Sequence, residues 1–161
     1  MNLQKTKVMI FRKGGHIAAH EHWQINGQRL EVVNEYKYLG HVFTTKMSTN
    51  VALVNLAARG KAAVNHICKT VRKLSFVMPD LYFKMFECQI LPILVYGSEI
   101  WGLNNSNIIE TVHLYSLKQF LNVSVKTPNV MVYGDTGRYP LAINAAMRVV
   151  RYWLKILKMD K

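Results

Sequence analysis

Residues 50–74 read NVALVNLAARGKAAVNHICKTVRKL and set the architecture that we expect for the chain. At about 100° per residue, the apolar side chains of this stretch gather on one side of a helix and its cations gather opposite them. The apolar side consists of Leu53, Leu56, Ala63, Val64, Ile67, Val71 and Leu74. The stretch therefore predicts a long helix that packs on a core through one face and presents positive charge on the other.

The residues before this helix have the pattern of strands and turns. A short apolar run at residues 7–11 predicts a half-buried strand, and the Asn26-Gly27 dipeptide between two apolar segments predicts a tight hairpin. Residues 36–43 are rich in aromatic and β-branched side chains, which favours one more strand. We expect residues 1–45 to form a small antiparallel β-hairpin unit.

The residues after the long helix predict further helices. One is expected to begin at Pro79 and to kink at Pro92, because proline has no backbone N–H and crowds the preceding turn. Others are expected at about 106–121, just after Pro128, and from Pro140 onward. We therefore expect residues 46–161 to form a mainly α-helical bundle of about four to five helices, which makes the fold class α+β.

The charge of the chain limits its partners. The sequence has 21 basic and 9 acidic residues, a net charge of +12. Such an imbalance favours a polyanion as partner, nucleic acid first and an acidic membrane surface second. No apolar stretch of the sequence is long enough to span a bilayer. We expect no membrane partner. The two isolated cysteines, Cys68 and Cys88, predict buried, reduced thiols in an intracellular protein.

Two helices carry basic residues without any acidic ones. The first basic stripe consists of Arg59, Lys61, Lys69, Arg72 and Lys73, and the second of Arg148, Arg151, Lys155 and Lys158. A helix face that serves only solubility usually mixes charges of both signs. Two interpretations of each stripe stay open from charge alone, a solvated surface and a contact with nucleic-acid phosphates.

Catalytic carboxylates are missing from the sequence. Catalysis with two metal ions needs two or three clustered carboxylates, and the nine acidic residues include no Asp-Asp pair. His16, His20 and His22 lie in one turn-rich stretch, but zinc normally takes four ligands on a fixed frame, and only Glu21 is a further candidate nearby. We therefore expect no catalytic residue, no metal site and no cofactor in this chain.

Distinctive sequence blocks follow one another along the chain. The first contains Asn2, Lys5, Thr6, Met9 and Phe11, and the second is Tyr36-Lys37-Tyr38-Leu39-Gly40. A pair of longer blocks, VYGSEIWG at residues 95–102 and TPNVMVYGDTGR at residues 127–138, comes after them. In this order the blocks resemble the C-terminal part of a reverse transcriptase from a LINE-type, non-long-terminal-repeat retrotransposon. The resemblance covers nearly the whole chain.

The resemblance implies a role for each part of the chain. Lys5 and Lys7 are expected near the nucleotide-binding palm, and Tyr38, Leu39 and Gly40 in the primer grip that holds the 3′ end of the growing strand. The helical domain is expected to be thumb-like, with both basic stripes against an RNA–DNA hybrid or other nucleic acid. The family's paired aspartates, and the magnesium they bind, precede the first block. The resemblance thus implies a nuclear, nucleic-acid-binding fragment that is not an enzyme on its own.

A second class of function stays open from the sequence. In this alternative, the chain is a non-catalytic structural or protein-interaction module derived from a decayed retroelement. If so, we expect it to expose an apolar face that drives self-association. Four aromatic residues are interpreted as core or corner residues rather than base-stacking platforms: Tyr96, Trp101, Tyr133 and Trp153. Arg138 is interpreted either as a phosphate contact or as an ion pair with Asp135.

Overall fold

The computed structural model describes residues 6–12, 22–46, 48–73, 78–104 and 106–159. The chain divides into two units, Met1–Ala52 and Leu53–Lys161. Strands lie in the first unit, and helices make up the second, which confirms the α+β fold class. The two units differ in how much of their sequence is regular structure, so each is described by itself.

Short paired strands form the first unit. Their bounds are β1 Lys7–Val8, β2 Gln24–Ile25, β3 Gln28–Arg29, β4 Glu31–Val32, β5 Glu35–Tyr38 and β6 His41–Thr44. β2 pairs with β3 and β5 pairs with β6, both antiparallel, and the first of these pairs confirms the hairpin expected at Asn26-Gly27. β1 pairs with β4 in parallel, with Lys7 beside Glu31. This parallel pair was not predicted, because its strands are far apart in sequence and only two residues long.

The second hairpin corrects one sequence prediction. Residues 36–43 were expected to form a single strand, but the chain reverses between β5 and β6 at Leu39 and Gly40. Both residues have positive φ, 48° for Leu39 and 83° for Gly40. A two-residue hairpin turn needs this left-handed backbone, which glycine adopts without strain and leucine does not. The turn is therefore permitted by Gly40 and held in place by the pairing on either side.

Helices account for almost all of the second unit. Their bounds are α1 Asn50–Val71, α2 Pro79–Met85, α3 Leu91–Leu94, α4 Ser98–Trp101, α5 Asn107–Leu121, α6 Asn129–Thr136 and α7 Leu141–Met159. A π-helical segment, Phe86–Ile90, joins α2 to α3, so residues 79–94 form one continuous helical stretch. The predicted long helix ends at Val71, three residues earlier than expected. The short helix α4 was not predicted.

Pro92 explains the π-helical segment. Its ring cannot fit against the carbonyl of the preceding turn of a regular α-helix, and its nitrogen cannot donate a hydrogen bond. In the structure the N–H of Leu91 donates to the carbonyl of Phe86, five residues back, which widens the turn before the proline. The sequence placed the irregularity at Pro92 itself, and the structure places it in the turn that precedes this residue.

One apolar core holds the helical unit together. It is built from α1, the 79–94 stretch, α5, α6 and the start of α7, with these members among the most buried: Leu53, Leu56, Val64, Ile67, Ile90, Leu94, Ile109, Leu117 and Val132. Trp101 is buried, and its indole N–H donates to the carbonyl of Tyr96 at 3.1 Å, so its predicted core position is confirmed. Trp153 is 57% exposed, so it is not a core residue. Cys68 is half-buried and Cys88 is exposed, so the expected burial of both thiols fails at Cys88.

Candidate nucleic-acid interface

The first basic stripe lies on the side of α1 that faces away from the core. Arg59, Lys61 and Lys69 are exposed on the helix itself. Arg72 and Lys73 are also exposed but follow the last helical residue, in a turn whose N–H groups donate to carbonyls of Cys68 and Thr70. At 1.5 Å per residue, the stripe extends over roughly 20 Å. These cations occupy exposed positions, with Arg59 at the margin of the stripe, on a helix whose core-facing side is buried.

Salt bridges lie elsewhere in the described part of the chain. Those formed by lysine or arginine are Lys7–Glu31, Glu87–Arg138 and Glu99–Arg148, and Glu110 also lies within salt-bridge distance of the His113 ring. Within the same residues, no carboxylate comes within salt-bridge distance of the first basic stripe. Because none of these five charges is neutralised there, the stripe keeps a strong attraction for a polyanion.

A polar seam between α1 and α5 borders the first basic stripe. Arg72 donates to the side-chain oxygen of Gln119 at 3.2 Å, and the ammonium of Lys61 lies 5.3 Å from the centre of the Tyr115 ring. The Tyr115 hydroxyl donates to the side-chain oxygen of Asn65 at 2.8 Å. Sequence reasoning missed Gln119 and Tyr115, since they lie some 50 residues from their partners and no local pattern marks them. They orient two cations of the stripe.

The second basic stripe, on α7, is less uniform than the first. Arg148 is half-buried and donates to Glu99 at 3.3 Å. Arg151, Lys155 and Lys158 are exposed, and no salt bridge of the described residues involves them. The pattern predicted four equivalent cations. The structure separates one that ties α7 to α4 from three that face solvent.

The remaining expected contact residues lie in the first unit. Lys5 falls outside the described residues. Lys7 forms a salt bridge with Glu31 across the parallel pair β1–β4. Tyr38 and Leu39 are 57% and 74% exposed at the reversal of the second hairpin, and Gly40 is half-buried. An aromatic and an aliphatic side chain thus project from a tight turn, in a position open to a ligand.

Arg138 does not form the ion pair with Asp135 that was one of its two interpretations, and its phosphate contact stays a prediction. Its guanidinium pairs with the carboxylate of Glu87 and lies 4.3 Å from the centre of the Phe83 ring. The expected ion pair with Asp135 is therefore replaced by one with a residue 51 positions earlier. Arg138 links the loop before α7 to the 79–94 stretch.

Glu110 connects several helices of the second unit through its carboxylate. Its carboxylate accepts hydrogen bonds from His113 at 2.9 Å, from the Tyr133 hydroxyl at 2.6 Å and from the backbone N–H of Leu141 at 2.6 Å. Burial by itself raises the pKa of a carboxyl, but these hydrogen bonds outweigh it and hold the pKa of Glu110 below its ordinary value. Glu110 therefore joins α5 to α6 and to the first residue of α7, which is a structural role.

Metal ligands and membrane-spanning helices do not appear in the described residues. Two of the three histidines considered as ligands, His16 and His20, fall outside them, and His22 is exposed. No group of three His, Cys, Asp or Glu side chains within the described ranges is placed to hold a metal ion. Nor is any helix there both long and apolar enough to cross a bilayer.

Comparisons with known proteins identify no relative. No protein-family model, curated protein or solved structure matches the chain. The resemblance to LINE-type reverse transcriptases consequently rests on the sequence blocks quoted above, and what it implies for this chain stays a prediction.

Proposed function

We propose that this chain binds template–primer nucleic acid through the first basic stripe, as the thumb-like end of a LINE-type reverse transcriptase. In this proposal it holds an RNA–DNA hybrid and contributes no catalytic carboxylate of its own. The observation that carries the proposal is the exposed cations of α1, which have no carboxylate partner among the described residues.

The positions of Arg59 and Lys61 give this observation its weight. Lys69, Arg72 and Lys73 lie at the carboxyl end of α1, where the helix dipole by itself favours cations. Arg59 and Lys61 lie near the middle of the helix, where the dipole offers no such stabilisation. Among the described residues, Lys61 uses its charge only against the Tyr115 ring and Arg59 has no carboxylate partner, so both cations stay available for a contact with phosphates.

The proposed binding is electrostatic and independent of base sequence. Each lysine or arginine that neutralises a phosphate releases counterions from the nucleic acid, so binding weakens as salt rises. The exposed Tyr38 and Leu39 of the second hairpin are proposed as apolar contacts to the primer strand, in line with their place in the resemblance.

The experiment measures binding of the chain to a recessed RNA–DNA primer–template by fluorescence anisotropy at several salt concentrations. We expect micromolar or tighter binding that falls steeply between about 50 and 200 mM salt. Replacing Arg59, Lys61 and Lys69 by glutamine is expected to lower the log–log salt slope by about 3 and the affinity by at least about tenfold. Salt-independent binding by the unchanged chain contradicts the proposal.

A matched control removes the same charge from other surfaces. Lys46, Lys84 and Lys126 are exposed, and no salt bridge of the described residues involves them. Their combined replacement by glutamine is expected to lower affinity much less than the change in α1, because long-range attraction falls but no phosphate contact is lost. Equal losses in the two variants would show that net charge, rather than the first basic stripe, attracts nucleic acid.

A further inference from the structure

One face of α7 exposes a regular row of apolar side chains. The row consists of Ile143, Met147, Val150, Leu154 and Leu157, each between 46% and 51% exposed. Successive members are separated by four, three, four and three residues. We call this row the α7 seam.

The seam differs from the face through which α7 joins the helical unit. Leu141 and Ala145 are buried, and α7 packs against α4 and α5. The seam lies on another side of the helix, about 160° round from Leu141 and Ala145 at 100° per residue. Beyond Val150, every described residue of the helix is exposed, including Trp153 at 57% and Met159 at 73%. A row of this length in water is unfavourable and marks a surface that another apolar surface covers.

The spacing of the seam indicates what kind of surface covers it. Alternation of four and three residues places apolar side chains at the a and d positions of a heptad, the arrangement by which one helix packs along another. A helix that lies on a membrane has a broad apolar arc without this strict alternation. The seam therefore fits a partner helix that runs beside α7.

The charges beside the α7 seam indicate which charges the partner helix carries. Arg151 and Lys158 each follow a d position, so they occupy the e positions that flank a helix pair, and α7 has no acidic residue between Leu141 and Met159. Two antiparallel copies of α7 would bring these cations together, and two parallel copies would leave them without a carboxylate. A helix with glutamate or aspartate at its flanking positions would neutralise both.

We propose that α7 docks an amphipathic helix of a partner protein whose apolar stripe is flanked by acidic residues. The proposal goes beyond nucleic-acid binding and does not rest on it, since it concerns a different helix and a different chemistry. Self-association, which the sequence predicted for an exposed apolar face, is an outcome that the experiment distinguishes.

The probe is a labelled peptide of about four heptads with leucine at a and d and glutamate at e and g. Its glutamates keep it from pairing with itself at neutral pH. We expect the full chain to bind it with micromolar affinity, and the double change Leu154→Gln with Leu157→Gln to weaken binding at least about tenfold. The matched control changes two exposed valines outside the seam, Val125→Gln and Val130→Gln, and is expected to bind as the unchanged chain does.

Charge is tested separately from the apolar row. The Arg151→Glu, Lys158→Glu variant is expected to stop binding the glutamate-flanked peptide and to bind a peptide with lysine at e and g instead. Replacing Arg59, Lys61 and Lys69 by glutamine is expected to leave peptide binding unchanged, which distinguishes docking on α7 from attraction to the first basic stripe.

Three results would overturn the proposal. The first is a folded chain that fails to bind the glutamate-flanked peptide, or binds the lysine-flanked one equally well. The second is a concentration-dependent dimer that the Leu154→Gln, Leu157→Gln change abolishes, which assigns the seam to a second copy. The third is seam-dependent binding to phosphatidylserine vesicles without peptide binding, which assigns it to a membrane surface.

Discussion

The helices α1 and α7 have the same sequence signature and opposite surroundings. Each is about twenty residues long and contains no acidic residue; α1 carries three lysines or arginines with two more just after its end, and α7 carries four. α1 buries Leu53, Leu56, Val64 and Ile67 to 2% exposure or less. α7 buries only Leu141 and Ala145 and leaves a heptad row of apolar side chains in solvent.

The difference teaches that a basic amphipathic helix has two separate surfaces to account for. In α1 the apolar face is satisfied by the core, so the cations are the unexplained feature, and nucleic acid is the partner they favour. In α7 one cation is already used by Glu99, and the apolar face is the unexplained feature. Similar sequences therefore lead to two different proposals.

The largest difference in stability is expected when a leucine is changed to alanine in each of the two helices. Leu56→Ala is expected to lower the free energy of unfolding by about 2–5 kcal/mol, because it leaves a cavity in the core. Leu154→Ala is expected to lower it by less than about 0.5 kcal/mol, since that side chain is 46% exposed. Urea denaturation of both variants measures this. Equal losses would break the comparison, by showing that the α7 seam is covered in the free protein.

A substitution at the contact between α7 and α4 is expected to have the next largest effect on stability. A Cβ at Gly102 would lie 2.5 Å from the backbone oxygens of Ala145 and Ser98. The backbones of α7 and α4 therefore approach each other more closely than a residue with a side chain at position 102 would allow. Gly102→Ala is expected to destabilise the chain by about 1–3 kcal/mol through this overpacking. Gly134→Ala is the control: nothing lies near its Cβ position in α6, and alanine there is expected to stabilise by about 0.5–1 kcal/mol. Destabilisation by both changes would contradict the close contact.

Substitution of Glu110, which joins α5 to α7, is expected to have the smallest effect on stability, and the size of this effect depends on pH. Because the pKa of Glu110 in the folded protein lies below its ordinary value of 4.5, the carboxylate stabilises the fold above that pH and loses this effect as pH falls further. Glu110→Gln is expected to cost about 1–2 kcal/mol at pH 7, from weaker hydrogen bonds to Tyr133 and Leu141. The deficit is expected to shrink below pH 4.5.

Urea denaturation at pH 7 and at steps down to pH 3 measures the effect of Glu110→Gln. Glu87→Gln is the control, since Glu87 is half exposed and its bond to Arg138 is expected to contribute under about 1 kcal/mol. A deficit that does not change with pH would assign the role of Glu110 to packing rather than to its charge.

Much of the helical unit could be predicted because its signals are local. The α5 helix was expected at about 106–121 and occupies Asn107–Leu121, and α6 follows Pro128 as expected and ends before Gly137. The Asn26-Gly27 turn was found by its dipeptide alone, and both residues have the positive φ that such a turn needs. In each case the residues that decide the structure are neighbours in sequence.

Features that depend on distant residues were missed or misread. The pairing of Lys7 with Glu31 and that of Arg138 with Glu87 join segments 24 and 51 residues apart. The polar seam of Tyr115 and Gln119 beside α1 is of the same kind. Periodicity also could not show that the last helix leaves most of its large apolar side chains exposed, since an apolar position looks the same in sequence whether or not something packs on it.

The sequence by itself determined the fold class, most helix bounds and the excess of positive charge, because helix periodicity, caps, turn dipeptides and charge are properties of short segments. Only the tertiary structure decided which cations keep no carboxylate partner within the described residues, which one is paired with Glu99, and which apolar face of α7 stays exposed. Those outcomes depend on which segments meet in space, and no short segment carries that information.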